Sequence, residues 1–140
     1  MYDFQDKTLL LTGANGGIGR EVARLFYAHG ANLVLTDIDL AGLEGFAQGL
    51  GGDVARRVAC LRMDAANPED SQKAVDVARE RFGGIDYLVP SAGLYLAQPV
   101  REMTDAQWRQ TLSINLDGVF YLCQRAIAVL RDGSAIVHLS

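Results

Sequence analysis

Short apolar runs alternate with helical patterns along all 140 residues of the chain. Most of the runs are rich in Leu, Val or Ile, as strands buried on both faces of a sheet are. Because parallel strands need a helical crossover between them, five such runs separated by helices predict an α/β fold. We expect one domain over residues 1–140, a doubly wound parallel sheet with the strand order 3-2-1-4-5. The predicted strands are 7–12, 32–37, 58–63, 85–90 and 134–139.

Four helical patterns lie between these strands. The first carries Ile18 and Leu25 on its apolar face and closes at Gly30, a residue that readily adopts the left-handed cap conformation. The second covers 40–50, where three glycines weaken the helix, so it must lean on the sheet. The third begins after Asn67, a good capping residue, and ends at a glycine.

The fourth helical pattern is the longest. Thr104 and Gln107 have the spacing of a capping box, and the pattern runs to about Leu130. We expect its apolar stripe to pack on the sheet, with Trp108 as a core anchor, but the sequence does not divide the stripe between the core and a subunit interface. Asn115 lies on this stripe, where a polar group needs a partner. From the pattern alone, Asn115 is better explained as a core asparagine whose side chain bonds to its own helix or to a neighbouring strand. The stripe consists of Trp108, Leu112, Leu116, Val119, Phe120, Cys123, Ile127 and Leu130.

Composition and charge exclude several classes of function. Hydrophobic residues make up 49% and charged residues 21% of the chain, which is typical of a globular protein. The net charge is −4 with mixed signs, so there is no basic surface for nucleic acid or anionic lipid. Cys60 and Cys123 lack metal-ligand spacing, which favours buried free thiols and a cytoplasmic setting. The first residues lack the pattern of a signal peptide, and no apolar stretch is long enough to span a membrane.

The stretch LLLTGANGGIGR lies where the first predicted strand gives way to the first helix. Gly13, Gly17 and Gly19 fit the pattern G-x-x-x-G-x-G. Glycines let the backbone turn tightly and approach a diphosphate, whose charge the helix N-terminus attracts. A glycine-rich turn that binds no ligand is the alternative.

Asp37 ends the second predicted strand, eighteen residues after Gly19. This is close to the spacing at which an acidic group reaches the adenosine ribose of a dinucleotide. An aspartate there accepts two hydroxyl hydrogen bonds and repels a 2′-phosphate, which favours NAD over NADP. A helix-capping role for Asp37 stays open, Asp39 competes for the same assignment, and Arg20 is a candidate phosphate contact.

These motifs resemble those of the short-chain dehydrogenase/reductase family. The resemblance rests on TGANGGIG (12–19), Asp37, Asp64 after the third strand, SAG (91–93) after the fourth, and Asn115 in INLDGVFYL. The motifs follow the family's order along essentially the whole chain, which covers the first part of a typical member, somewhat more than half. The resemblance implies a Rossmann-like fold, a nicotinamide cofactor, and interconversion of an alcohol and a carbonyl on a small molecule.

The resemblance also implies roles for individual residues. Asp37 would hold the adenine ribose, and Asp64 and Ala65 would flank the adenine. Asn115 would belong to a proton relay and is the candidate catalytic residue of the chain. The turn that binds the pyrophosphate would comprise Gly13, Asn15, Gly16, Gly17, Ile18 and Gly19. The cleft beyond the fourth strand would be lined by Ser91, Ala92 and Gly93, where PSAG replaces the usual Asn-Asn-Ala-Gly and leaves some loop hydrogen bonds open.

The family's proton-transferring residues are not found in this sequence. The family places a catalytic serine just after the fifth strand, and Ser140 matches the serine before it. No Tyr-x-x-x-Lys occurs, because the only lysines are Lys7 and Lys73. We therefore expect a truncated domain that is inactive and association-prone alone, and a dimer or tetramer for the complete protein. The alternatives are a non-catalytic NAD-binding or interaction module, and a sugar-nucleotide epimerase or reductase, since Gly13, Gly16 and Gly19 also fit G-x-x-G-x-x-G.

Overall fold

Five parallel strands form the sheet in a computed structural model that describes residues 1–139. Their order, β3-β2-β1-β4-β5, confirms the predicted 3-2-1-4-5. Four strands lie within one residue of their predicted bounds, because each is a continuous apolar run between turn residues. The strands are β1 (Thr8–Thr12), β2 (Asn32–Asp37), β3 (Val58–Arg62), β4 (Ile85–Pro90) and β5 (Leu130–Ile136).

Helices connect the strands in the predicted positions, with one addition. The short helix Val54–Arg57 was not predicted, because four residues carry no detectable periodicity. A π-helical segment, Ser113–Asp117, and the 3₁₀ turns Val100–Glu102 and Ile127–Val129 complete the helical structure. The helices are α1 (Gly17–Ala28), α2 (Leu40–Gln48), α3 (Val54–Arg57), α4 (Pro68–Phe82), α5 (Asp105–Leu112) and α6 (Gly118–Ala126).

Two hydrophobic clusters cover the two faces of the sheet. On one face, Leu9 and Leu11 of β1 pack with residues of α1 and α2. On the other face, Leu10 of the same strand packs with residues of α4 and α6, including Leu122. Because successive side chains of a strand point to opposite faces, all three leucines are fully buried. This double coverage confirms the doubly wound arrangement.

Small residues mark the buried faces of α1 and α6, and the predicted apolar faces were partly wrong. In α1 the buried residues are Gly19, Ala23 and Tyr27, whereas Ile18 and Leu25 are exposed. Small side chains let a helix axis approach the sheet closely, so they pack even though they add little to an apolar stripe.

The long fourth helix is divided by the π-helical segment, and several residues of its apolar stripe face solvent instead of the core. Trp108 is 55% exposed and is not a core anchor. Leu116, Phe120 and Ile127 are also exposed, whereas Gly118, Leu122 and Ala126 are buried. A Cβ at Gly118 would lie 2.5 Å from the carbonyl oxygen of Ala65, so only glycine permits this approach of α6 to the loop after β3.

The prediction for β5 was wrong in its bounds and its burial. The strand is Leu130–Ile136 instead of 134–139, and most of it is exposed at the edge of the sheet. Its pairing with β4 shifts between Ile85 and Tyr87, so several extra residues bulge out of the ladder. Arg131 lies in this bulge and pairs with the buried carboxylate of Asp86. Ser140 lies outside the described residues.

Both cysteines are free, as predicted, and half-buried. Burial raises the pKa of the Cys60 thiol to about 11 and also raises the pKa of Cys123. Both thiols are therefore protonated at neutral pH. Within residues 1–139, no cluster of three or more His, Cys, Asp or Glu side chains is arranged to hold a metal ion. Across the same residues, the helices are too short or too polar to cross a membrane.

Candidate functional site

A cleft of about 260 Å³ opens at the carboxyl ends of the first four strands. β1 and β4 are neighbours in the sheet, and the helices that follow them pack on opposite faces. Open α/β sheets bind ligands at such a position. Six of the predicted cofactor residues line it. They are Gly13, Asp37, Asp64, Ala65, Ala92 and Gly93.

The glycine turn brings two loops into direct backbone contact. Gly13 has a φ of +63°, and a Cβ there would lie 2.8 Å from the Cα of Ala92. A Cβ at Gly19 would lie 2.3 Å from the carbonyl oxygen of Gly13. These two glycines are therefore required by the fold, because no side chain fits between the backbone segments.

The N-terminus of α1 is open on its outer side. Gly16 is the N-cap residue, and Gly16, Gly17 and Ile18 are all exposed. A Cβ at Gly17 would meet no atom within 4 Å. The first N–H groups of a helix carry a partial positive charge, and glycine here leaves room for an anion to approach them. The residues present thus fit a diphosphate.

Asp37 is held by two backbone groups at the edge of the cleft. Its Oδ2 accepts a hydrogen bond from the Asn15 amide nitrogen at 3.0 Å, and its Oδ1 accepts one from the Asp39 nitrogen at 3.1 Å. Asp39 instead caps α2, since its carboxylate accepts from the Gly42 nitrogen. The two aspartates thus have different structural positions, and Asp37 is the one that lines the cleft.

Asp64 and Ala65 line the cleft after the end of β3. The Oδ1 of Asp64 accepts from the Ala66 nitrogen at 2.9 Å. The Asp64 nitrogen donates to Oδ2 of Asp70 at 3.0 Å, and this bond, aided by Lys73, lowers the pKa of the Asp70 carboxyl. Asp70 lies in the first turn of α4, so the start of that helix fixes the loop that carries Asp64.

The loop after β4 is tied to the sheet despite the departure at Pro90 and Ser91. Both the Ser91 and the Ala92 nitrogens donate to Oγ1 of Thr12, each at 3.1 Å. Pro90 pairs in register with Thr12 at the end of the β1–β4 ladder, where the loss of its N–H is tolerated. The hydrogen bonds left open by the sequence are therefore replaced by one threonine hydroxyl.

Asn115 lies in the π-helical segment and is exposed, so its predicted burial was wrong. Its Oδ1 accepts from the Leu94 nitrogen at 2.7 Å, and its Nδ2 donates to the Leu94 oxygen at 2.8 Å. Neither its own helix nor a strand supplies the partner. The side chain instead pairs with the backbone of the loop after β4, as a neighbouring strand would.

Six further residues line the cleft that sequence reasoning did not assign to it. A signal was available, because each is adjacent in sequence to a residue that was assigned. Three of them are next to Gly13 or Asp37 in the chain, and the other three are next to Asp64, Gly93 or Asn115. They are Thr12, Thr36, Ile38, Met63, Leu94 and Ile114.

Comparisons with known proteins agree with this geometry. Residues 13–140 match the family model described as enoyl-(acyl carrier protein) reductase. A crystal structure of a short-chain dehydrogenase/reductase, glucose/ribitol dehydrogenase, from Brucella melitensis matches with a TM-score of 0.97 and 57% identity over 99% of this chain and 58% of that one. The chain belongs to the short-chain dehydrogenase/reductase family.

Curated relatives of this short-chain dehydrogenase/reductase chain include two that are named for polyols. D-Threitol dehydrogenase of Mycolicibacterium smegmatis is 37% identical over 99% of this chain and 55% of its own length. Galactitol 2-dehydrogenase (L-tagatose-forming) of Cereibacter sphaeroides is 39% identical over 92% of this chain and 50% of its own length. The chain thus spans about half the length of the curated relatives it matches.

The family is one of oxidoreductases that bind a nicotinamide cofactor. A blue fluorescent protein from a metagenomic library, solved in complex with NADPH, matches with a TM-score of 0.87 and 30% identity over 98% of this chain and 56% of that one. Family membership alone therefore does not choose between NAD and NADP.

Proposed function

We propose that this chain is the cofactor-binding part of an NAD-dependent oxidoreductase that interconverts an alcohol and a carbonyl on a small polyol. The two curated relatives, a D-threitol dehydrogenase and a galactitol dehydrogenase, support a polyol as the substrate class. The position of Asp37 carries the choice of NAD. The module and epimerase alternatives gain no support from these relatives.

Asp37 supports NAD through charge and geometry. Each of its carboxylate oxygens accepts one backbone hydrogen bond, which fixes the group and leaves lone pairs for two ribose hydroxyls. A 2′-phosphate carries a charge of about −1.5 to −2 at neutral pH and would be repelled by a fixed carboxylate beside it. NAD lacks that phosphate.

The remaining predicted residues contact different parts of the cofactor. The open N-terminus of α1, with Asn15 to Gly19, binds the diphosphate. Asp64 and Ala65 contact the adenine, and Ser91, Ala92 and Gly93 line the path toward the reacting end. When bound, the nicotinamide ring accepts or supplies the hydride. Asn115 acts at the proton-transfer end of the cleft, where its two hydrogen bonds with the Leu94 backbone hold the loop after β4 in position.

No tyrosine followed four residues later by a lysine, the pair expected to transfer the proton, occurs in these 140 residues. A tyrosine needs a nearby lysine or another cation to act as a base at neutral pH, and the two lysines of the sequence, Lys7 and Lys73, do not follow a tyrosine by four residues. We therefore propose that residues 1–140 bind the cofactor and that turnover needs further residues of the complete protein. Oxidation of a polyol by this chain alone would contradict the proposal.

Oligomeric state and location belong to the same proposal. The exposed apolar side chains Trp108, Leu116, Phe120 and Ile127 of the α5–α6 region favour a homodimer or tetramer. The two free thiols favour a reducing, cytoplasmic setting.

Titration of the chain with NAD and NADP tests the cofactor assignment. Asp37→Ala should weaken NAD binding about tenfold or more, because hydrogen bonds to a charged group are worth about 1.5–3 kcal/mol. NADP binding should be unchanged or tighter. Asp132→Ala, which removes an exposed carboxylate in β5, is the control and should change neither affinity. Unchanged NAD affinity in Asp37→Ala would refute the assignment, provided that the variant melts like the wild type.

A further inference from the structure

Asn15 connects three charged groups beside the cleft. Its backbone nitrogen donates to Oδ2 of Asp37, and its side-chain Nδ2 donates to Oδ2 of Asp39 at 3.1 Å. Its Oδ1 accepts two hydrogen bonds from Arg20, from Nε at 3.2 Å and from Nη2 at 2.7 Å. One asparagine thus lies between two carboxylates and one guanidinium.

Arg20 is the cation of this group and is not neutralised there. It forms no ion pair with a carboxylate of residues 1–139. The guanidinium also lies over the Phe46 ring, with Cζ 5.4 Å from the ring centroid. Asn15 and Phe46 together hold it on the outer side of the turn.

The bonds to Asn15 use the edge of the guanidinium formed by Nε and Nη2. That edge is one of the two with which arginine pairs bidentately with a phosphate or a carboxylate. While Asn15 occupies it, Arg20 forms no ion pair with Asp39 and does not present this edge to an incoming phosphate.

We infer that Asn15 is a positioning residue for cofactor choice, which disfavours a 2′-phosphate by holding the Nε–Nη2 edge of Arg20, so that this edge pairs neither with that phosphate nor with Asp39. The inference rests on the proposed function, in which Asp37 and its surroundings receive the adenosine ribose. It adds that rejection of NADP depends on a hydrogen bond to an arginine as well as on the carboxylate itself.

The test compares dissociation constants of NAD and NADP in the wild type and in Asn15→Ala. Release of Arg20 lets it pair with the 2′-phosphate or with Asp39, and either pairing lowers the cost of binding NADP. The ratio of the NADP constant to the NAD constant should fall about tenfold, the change expected from one strong hydrogen bond. A purely structural role would weaken both nucleotides equally and leave the ratio unchanged, which would overturn the inference.

Arg20→Met provides the matched control. Alone it should change the ratio by less than about twofold, because the wild-type guanidinium is already held by Asn15. In the double variant Asn15→Ala/Arg20→Met, the ratio should return to that of the wild type. A double variant that keeps the Asn15→Ala ratio would show that Arg20 is not the mediator and would refute the inference.

Two checks separate the possible failures. Thermal melting without nucleotide shows whether Asn15→Ala folds. If it does not fold, Asn15→Ser replaces it and should lower the ratio in the same way, because the serine hydroxyl is too short to reach both Asp39 and Arg20. If the wild type binds NAD and neither Asn15 variant changes the ratio of the NADP to the NAD dissociation constant, only this inference is refuted. A wild type that binds neither nucleotide refutes the proposed function and this inference with it.

Discussion

Gly17 and Gly19 are two residues apart and have different physical roles. Gly19 packs against the backbone of the preceding turn, whereas the space around Gly17 is open. A side chain at Gly19 therefore strains the fold, and a side chain at Gly17 only fills the space in front of the helix N-terminus. Substitution by alanine separates the structural need for glycine from the ligand's need.

Gly17→Ala should leave the melting temperature unchanged or slightly raised, because alanine favours a helix. It should nevertheless weaken NAD binding, by about tenfold, because its methyl group lies where the diphosphate approaches the helix. Gly19→Ala should destabilise the protein by about 1–3 kcal/mol, as overpacking does. Urea denaturation and NAD titration measure the two effects. If Gly17→Ala lost stability as well as NAD affinity, Gly17 would be required by the fold, as Gly19 is.

Residues whose roles depend on neighbours in sequence were predictable, and those that depend on distant partners were not. The positions of Gly13 and Gly19 in a strand-to-helix turn and of Asp37 at a strand end were predictable because they are local patterns. The hydrogen bonds of Thr12 to the loop after β4 were not predictable, because the two amide nitrogens that donate to its hydroxyl come 79 and 80 residues later in the chain. Nothing near Thr12 in the sequence indicates that contact.

At the scale of elements, the start of α4 fixes one wall of the cleft. Asn67 caps the helix, Pro68 occupies its first turn, and Asp70 accepts from the Asp64 nitrogen. The same carboxylate lies near the positive end of the helix, where a negative charge is favoured. The stability of this junction therefore depends on the charge of Asp70.

Acid should weaken this junction in a defined direction. The pKa of Asp70 is lowered in the folded state, so its contribution is present above its unfolded pKa of about 3.9 and is lost as the pH falls through the lower folded value. Asp70→Asn should therefore be less stable than the wild type by about 1 kcal/mol at pH 7, and the difference should shrink toward pH 2.

Chemical denaturation at several pH values measures this difference. Asp76→Asn is the control. Its carboxylate pairs with Arg79 on the same helix and is more exposed than that of Asp70, so the substitution should lower the free energy of unfolding by at most about 0.5 kcal/mol. A stability difference for Asp70→Asn that is constant with pH would exclude the charge as its cause.

The order of the strands was predictable, but the detail of β5 and α6 was not. Alternation of apolar runs and helices leaves few topologies, which is why 3-2-1-4-5 was correct. The bulge in β5 accompanies the pairing of Arg131 with Asp86, two residues that lie 45 positions apart. The buried face of α6 was misjudged because Gly118 and Ala126 pack through their small size, which an apolar stripe does not register.

At the scale of the whole molecule, the exposed apolar side chains are not evenly distributed. Leu116, Phe120 and Ile127 lie on the outer side of the α5–α6 region, on the sheet face covered by α4 and α6. Leu25, on α1, is less exposed than these three residues and lies on the side of the sheet that α1 and α2 cover. Large contiguous apolar surface promotes association, whereas single apolar residues do not.

Phe120→Glu should therefore weaken self-association of the chain, and Leu25→Glu should not. We expect sedimentation of the wild type to show species of twice the 15.2 kDa chain mass or more at tens of micromolar concentration, roughly the range of a weak interface. A buried charge without a partner opposes association, so Phe120→Glu should raise the dissociation constant about tenfold or more. Since both positions are exposed in the single chain, neither substitution should alter its melting temperature by more than a few degrees. If Phe120→Glu and Leu25→Glu sediment alike, association proceeds through another surface, and the exposed edge of β5 becomes the next region to substitute.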